Sequence, residues 1–176
     1  MKRYICYALF ICINTSAFSQ DIFISGINKN RPLTWDDFKG TPGTNSSAAA
    51  FTVWNITYSL GGISFKGDTI KISKFLVKLE FDEKQSWSKP EKQTDVLLKH
   101  EQGHFDLGLI CQREMIRQFN NAVFLKSDFQ NKIQNIFSSI LDKYHLLGLK
   151  YDEETDHSRN QAAQDKWNIF LAAELK

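Results

Sequence analysis

The spacing of the apolar residues changes once along this chain, from a period of two before residue 90 to a helical period after it. A period of two is typical of a half-buried strand, and a period of about 3.6 is typical of an amphipathic helix. The sequence therefore predicts one α+β domain over residues 20–176, with a small antiparallel sheet followed by helices.

Two stretches, 51–60 and 69–82, carry the strand pattern. Each has one apolar face and one polar face, so we expect a sheet with one side exposed to water. The dipeptides Gly61-Gly62 and Gly67-Asp68 predict hairpin turns. The apolar faces hold Trp54, Ile56, Tyr58 and Leu60 in the first stretch and Phe75, Val77, Leu79 and Phe81 in the second.

Three helices are expected after residue 88. Ser88 could cap the first, with Pro90 in its first turn, and the apolar pattern continues to about Phe119. A second helix begins near Phe129 and should end at Gly148. The polar stretch 151–158 is then predicted to be a loop before a last helix, whose apolar stripe is Trp167, Phe170 and Leu171.

The N-terminus has the features of a signal peptide. A cationic start, Met1–Arg3, precedes an apolar run from Tyr4 to Ile13, and Ala17-Phe18-Ser19 offers small residues for cleavage before Gln20. The apolar run is too short for the roughly 20 residues that span a bilayer. We therefore expect residues 1–19 to be removed, and the product to be secreted or periplasmic with no integral membrane segment.

Charge and cysteine content limit the classes of partner and the covalent cross-links that this chain can have. The chain has 22 Lys and Arg against 20 Asp and Glu, and the excess lies at Lys2 and Arg3, inside the predicted signal. The mature protein is then neutral with no basic block, which argues against a nucleic-acid partner. Only Cys111 remains after cleavage, so no intramolecular disulfide is expected.

The residues best suited to chemistry lie in His100-Glu101-Gln102-Gly103-His104. Residues i and i+4 share one helical face, so both imidazoles can reach one metal ion, and Glu101 lies beside them as a candidate general base. Gly103 supports a special role for this helix, because glycine inside a helix costs about 1 kcal/mol relative to alanine. We expect another group to approach the backbone there.

A catalytic zinc ion needs a third protein ligand and an open fourth position. On the same helix, Cys111 and Glu114 lie about 10 and 15 Å beyond His104, too far to share the ion. His157, in the predicted polar loop, is the favoured third ligand. The alternatives Asp152, Glu153 and Glu154 in the same stretch remain open.

Four segments together resemble a known family: Leu33-Thr34-Trp35-Asp36-Asp37-Phe38-Lys39-Gly40, Ser86-Trp87, residues 97–106 and Tyr151-Asp152-x-x-Thr155-x-His157. The family is a domain of unknown function in bacterial exported proteins, described as predicted secreted zinc-dependent proteases. Ser158 stands where the family usually has glycine. The resemblance implies a zincin-like metallopeptidase fold.

These observations lead to a functional hypothesis. We expect a zinc metallopeptidase in which His100, His104 and His157 bind Zn²⁺ and Glu101 transfers the proton. Tyr151 could hydrogen-bond a developing oxyanion, although a packing role for it stays open. Substrates would be peptide, protein or peptidoglycan-type, aligned on a free sheet edge. The alternative is a non-catalytic secreted binding or assembly module with the same zinc as a structural ion.

Overall fold

The computed structural model describes residues 20–24, 26–28, 31–44 and 46–176. The predicted signal peptide, residues 1–19, lies outside them. The strands are β1 (Gln20–Ile24), β2 (Ile27–Asn28), β3 (Ala50–Phe51), β4 (Trp54–Lys66), β5 (Thr69–Phe81), β6 (Trp87–Ser88) and β7 (Phe124–Leu125). The helices are α1 (Asp95–Asn121), α2 (Phe129–Thr155) and α3 (Gln161–Glu174). The predicted α+β class is confirmed.

The main sheet is mixed, so the prediction of a purely antiparallel sheet is wrong. Its strand order is β2-β1-β5-β4, and β7 pairs with the start of β5. β4 and β5 are antiparallel, but β1 lies parallel to β5, with Ile22 opposite Leu79. Only a long connection can join parallel neighbours, and the residues between β1 and β5 supply it.

The hairpin prediction is confirmed at one dipeptide and wrong at the other. Gly67 and Asp68 form the turn between β4 and β5. Gly61 and Gly62 instead lie inside β4, which continues through them in unbroken register. Gly62 has a φ of +61°, and a Cβ there would overlap the Ser73 hydroxyl. Gly62 therefore takes a left-handed conformation inside a strand that continues past it.

The predicted apolar face of the sheet forms the core. The four residues predicted for β5 are all buried, and α1 lies across them. A Cβ on Gly108 of α1 would be 2.9 Å from the Trp54 ring, so this glycine allows the helix to approach the sheet closely. On the helix side, Phe105 packs against Phe81, Phe119 stacks on Phe75, and the Gln112 amide donates to the Val77 carbonyl.

Two predicted helix ends are corrected. The N-cap of α1 is Thr94, whose hydroxyl accepts a hydrogen bond from the Leu97 amide at 3.1 Å, and Ser88 lies in β6. Pro90–Lys92 form a separate 3₁₀ turn. α2 does not end at Gly148 but continues to Thr155, where Asp156 takes the left-handed conformation. Residues 151–155 are therefore helical, not part of a loop. In the described part of the chain, no helix is both long and apolar enough to cross a membrane.

Candidate metal centre

Three donor atoms converge between α1 and α2. His100 Nε2 lies 3.1 Å from Asp152 Oδ1, and His104 Nε2 lies 3.0 Å from the same oxygen. All three atoms lie within 4.8 Å of one another. The two histidines share one face of α1 as predicted, and α2 adds the carboxylate. His100, His104 and Asp152 form the metal triad discussed below.

Tyr151 brings α2 close enough to α1 for this contact. Its ring stacks on that of His100 with centroids 4.6 Å apart, and its hydroxyl donates to the His100 carbonyl oxygen at 3.1 Å. That hydroxyl lies where a Cβ of Gly103 would be, and the Tyr151 Cζ would be only 2.8 Å from it. The expected close approach at Gly103 is therefore confirmed, and the approaching group is Tyr151.

This contact predicts opposite effects for two glycines. Gly103→Ala should lower the free energy of unfolding by about 1 kcal/mol or more, because an overpacking cost of about 1–3 kcal/mol exceeds the gain in helix propensity. Gly148→Ala is the matched control, because the nearest atom to the new Cβ would be His104 Nδ1 at 4.0 Å. The better helix propensity of alanine should then raise the free energy of unfolding by up to about 1 kcal/mol. Urea unfolding of both zinc-free variants measures this. Equal stability of the two would contradict the packing described.

The charges at the triad favour a bound cation. Burial alone would raise the pKa of Asp152, but its hydrogen bonds with the two histidines outweigh burial and hold that pKa well below its usual range. Burial would likewise lower the pKa of His100, but Asp152 and Gln164 reverse the shift and raise it. The carboxylate is thus ionised, and positive charge is stabilised where the three donors meet.

Glu101 lies next to the triad and is almost fully buried, with 3% of its surface exposed. Its Oε2 accepts a hydrogen bond of 2.7 Å from the hydroxyl of Thr52, which follows β3. Burial raises the pKa of Glu101, and the nearby His104 and the Thr52 bond offset this only in part. No local sequence signal identified Thr52, because its role depends on a contact between residues 49 positions apart.

His157 contacts the triad but does not belong to it. Its Nδ1 lies 3.4 Å from Asp152 Oδ1, while 67% of its side chain is exposed. Asp156, His157 and Ser158 all have positive φ, so the end of α2 turns back toward the triad. The assignment of His157 as third ligand stays a prediction, and Asp152, one of the alternatives, is the residue that lies in the triad.

The other residues predicted for the site do not contribute a donor atom to the metal triad. The Glu154 carboxylate accepts a hydrogen bond of 2.7 Å from the Trp167 indole, and Glu153 is exposed. Tyr151 is fully buried, and its hydroxyl also accepts a hydrogen bond of 2.7 Å from Gln164. The hydroxyl is thus engaged inside the protein, and the catalytic role predicted for Tyr151 stays a prediction.

The triad and Glu101 form the floor of a groove of about 890 Å³. One wall consists of residues 48–54 with Trp87, and the other is the face of α2 from Leu141 to Leu149. Phe51 stands half exposed on the first wall, with its ring centroid 6.2 Å from that of Trp87. The triad borders this groove, where the His104 and Asp152 side chains are partly exposed and His100 is buried.

Comparison with known proteins identifies a family. Residues 36–158 match the model of a family described as "Bacterial protein of unknown function (DUF922)". The matched segment contains the metal triad, Glu101, Thr52 and both walls of the groove. No curated protein and no solved structure matches the chain.

Proposed function

We propose that this chain, which belongs to the DUF922 family of bacterial proteins of unknown function, is a secreted zinc-dependent metallopeptidase with a zincin-like active site. The proposal rests on the metal triad and on the carboxylate beside it. Two imidazole nitrogens and one carboxylate oxygen are ligands that zinc prefers, and three protein ligands are typical of catalytic zinc sites. The donor set therefore fits this ion.

One observation carries the catalytic part of the proposal. Glu101 lines the same groove as the metal triad, yet its carboxylate is held by Thr52 and is not one of the three converging donors. A purely structural site has no need for a buried carboxylate in this position. When bound, zinc would polarise the scissile carbonyl and lower the pKa of water toward 7. The Glu101 carboxylate would take a proton from the attacking water and pass it to the leaving amine.

The groove wall offers a way to align a polypeptide. In the antiparallel pair of β3 and β6, the Lys89 amide donates to the Ala49 carbonyl, so the backbone groups of Ala50 point away from β6. Ala50 and Thr52 line the groove, and the Thr52 hydroxyl donates to Glu101 there, so this side of β3 is the candidate edge for a substrate. An extended peptide can pair with such an edge by strand addition.

The lining of the groove favours a protein or peptide as the substrate over a peptidoglycan-type one. Among the described residues, the lining contains Phe51, Trp54, Trp87 and several Leu and Ala side chains, but no Lys or Arg. Its acidic side chains are the carboxylates of Glu101, Asp142 and Asp152. A bound Zn²⁺ would offset two of these negative charges, so the lining has no net positive charge to attract the carboxylates of peptidoglycan stem peptides. An apolar or basic polypeptide segment is compatible with it.

Metal analysis tests this proposal. We expect the purified mature protein to bind about one zinc ion per chain. Binding at a zinc concentration 100 times the dissociation constant stabilises the native state by about 2.7 kcal/mol. For a domain of this size, a chelator should then lower the melting temperature by about 5–10 °C. Elemental analysis and thermal unfolding with and without chelator provide both measurements, and absence of zinc would contradict the proposal.

Localisation is part of the same proposal. Residues 1–19 act as a signal peptide, and cleavage before Gln20 leaves β1 at the start of the mature chain. The enzyme would then act outside the cytoplasm, where no disulfide is needed because a core of this size stabilises the fold.

A further inference from the structure

Gln164 is the only residue of α3 found in contact with the metal triad in the described part of the chain. It is 1% exposed, and its Oε1 lies 3.0 Å from His100 Nδ1. Its Nε2 donates to the Tyr151 hydroxyl at 2.7 Å and to Asn168 Oδ1 at 3.1 Å. A buried amide with partners on both its ends has one fixed orientation.

The hydrogen bonds around this amide determine which nitrogen of His100 carries a proton. The Tyr151 hydroxyl uses its only hydrogen for the His100 carbonyl, so its oxygen can only accept from Gln164. The amide nitrogen of Gln164 must then face Tyr151, and the amide oxygen must face His100. An amide oxygen only accepts, so His100 Nδ1 must be a donor.

We infer that Gln164 is a positioning residue that holds the His100 ring with its Nδ1–H inside the protein and its Nε2 lone pair toward the metal. The inference rests on the metal site proposed above. A metal-binding histidine commonly donates its other ring N–H to such an acceptor, which fixes its tautomer and orientation. Gln164 lies beyond residues 36–158, so the C-terminal helix supplies a part of the site that the family match does not include.

The experiment compares two kinds of substitution at this position. Gln164→Leu removes the acceptor at 3.0 Å and leaves His100 Nδ1 only the Thr155 hydroxyl at 3.5 Å, so the zinc dissociation constant should rise about 10–100-fold. Gln164→Glu keeps an oxygen acceptor for His100 Nδ1–H but loses both donated hydrogen bonds, so its zinc dissociation constant should stay within about tenfold of wild type. Gln161→Ala, an exposed change on the same helix, is the matched control. Competition with a chromophoric zinc chelator measures all four proteins.

A second measurement does not depend on affinity or activity. In zinc-loaded ¹⁵N-labelled wild type, His100 should show a protonated Nδ1 whose proton is protected from exchange, and Gln164→Leu should lose this protection. Should Gln164→Leu fail to fold, Gln164→Met removes the same acceptor with less change in shape.

The outcomes separate this inference from the proposed function. Weaker zinc binding in Gln164→Leu together with rescue in Gln164→Glu would support the positioning role. Equal zinc affinity of wild type and Gln164→Leu would overturn the inference and leave the metal site intact. Loss of affinity in both Gln164 variants would overturn it in favour of a packing role. Wild type without zinc would overturn the metal site and the inference together.

Discussion

Replacing Glu101 with glutamine should leave zinc bound and should lower the hydrolytic rate about 10²-fold or more, the usual scale of general-base catalysis. Glutamine keeps the volume and helix propensity of the side chain but cannot accept the proton. The Thr52 hydroxyl can still donate to the amide oxygen at this position, so the local structure should persist. Zinc content and cleavage of an unfolded protein substrate, measured on the same preparation, test the prediction.

Two further variants show whether the effect belongs to this carboxylate. Glu91→Gln makes the same chemical change at an exposed position before α1 and should alter neither zinc content nor rate. Thr52→Val removes the hydroxyl that holds Glu101. It should lower the hydrolytic rate less than Glu101→Gln does, because the base remains. If Glu101→Gln cleaved as fast as wild type, Glu101 would not be the base. A wild type that binds zinc and cleaves nothing would favour a secreted binding module with a structural zinc ion.

The sequence predicted those parts of the fold that depend on local periodicity. The alternation of Phe75, Val77, Leu79 and Phe81 identified the buried face of β5, because side-chain direction in a strand depends only on position. The parallel pairing of β1 with β5 was not predicted, since it depends on a contact between residues more than fifty positions apart. The turn predicted at Gly61-Gly62 was wrong because glycine also occurs inside strands, here where a Cβ would overlap the Ser73 side chain.

The site was predicted only as far as one helical turn extends. The i,i+4 spacing of His100 and His104 requires no tertiary information, and the structure brings the two together as expected. The contribution of α2 to the site was missed because Gly148 was interpreted as a helix end, which made Tyr151 and Asp152 part of a loop. The sequence does contain a signal for the longer helix: Tyr144, Gly148, Tyr151 and Thr155 follow helical spacing, and this face of α2 packs against α1. Gly148 lies on that face opposite His104, where a Cβ would still fit, so this glycine does not end the helix.

The residues that hydrogen-bond to Glu101 and His100 could not have been identified from the spacing of residues in the sequence. Thr52 reaches Glu101 from 49 residues away, and Gln164 reaches His100 across 64 residues. Threonine after a short strand and glutamine in an amphipathic helix are common residues in common places. Their roles follow from burial and from the direction of their hydrogen bonds, which only the assembled fold provides.

Replacing the proposed metal ligands should have the largest effect on zinc affinity. His100→Ala or His104→Ala should each abolish stoichiometric binding, because two protein ligands remain where a catalytic zinc site requires three. Asp152→Asn keeps the size of the side chain but removes its negative charge and should weaken binding about 10²-fold or more, since even partners outside the ligand shell contribute 10–100-fold. Asp142→Asn, an exposed carboxylate on the same helix and in the same groove, is the matched control. Zinc titration with competition measures each affinity.

The same titration of His157→Ala decides which residue completes the site. The structure ranks Asp152 first, because its oxygen meets both imidazole nitrogens while most of the His157 side chain is exposed. If Asp152→Asn lowers the zinc affinity at least tenfold more than His157→Ala does, Asp152 is the third ligand. The reverse order would restore His157 as the ligand, and Asp152 would then hold its imidazole through the 3.4 Å contact. Equal losses would mean that both side chains bind the ion, which would fill the position that a water needs and would weaken the case for catalysis.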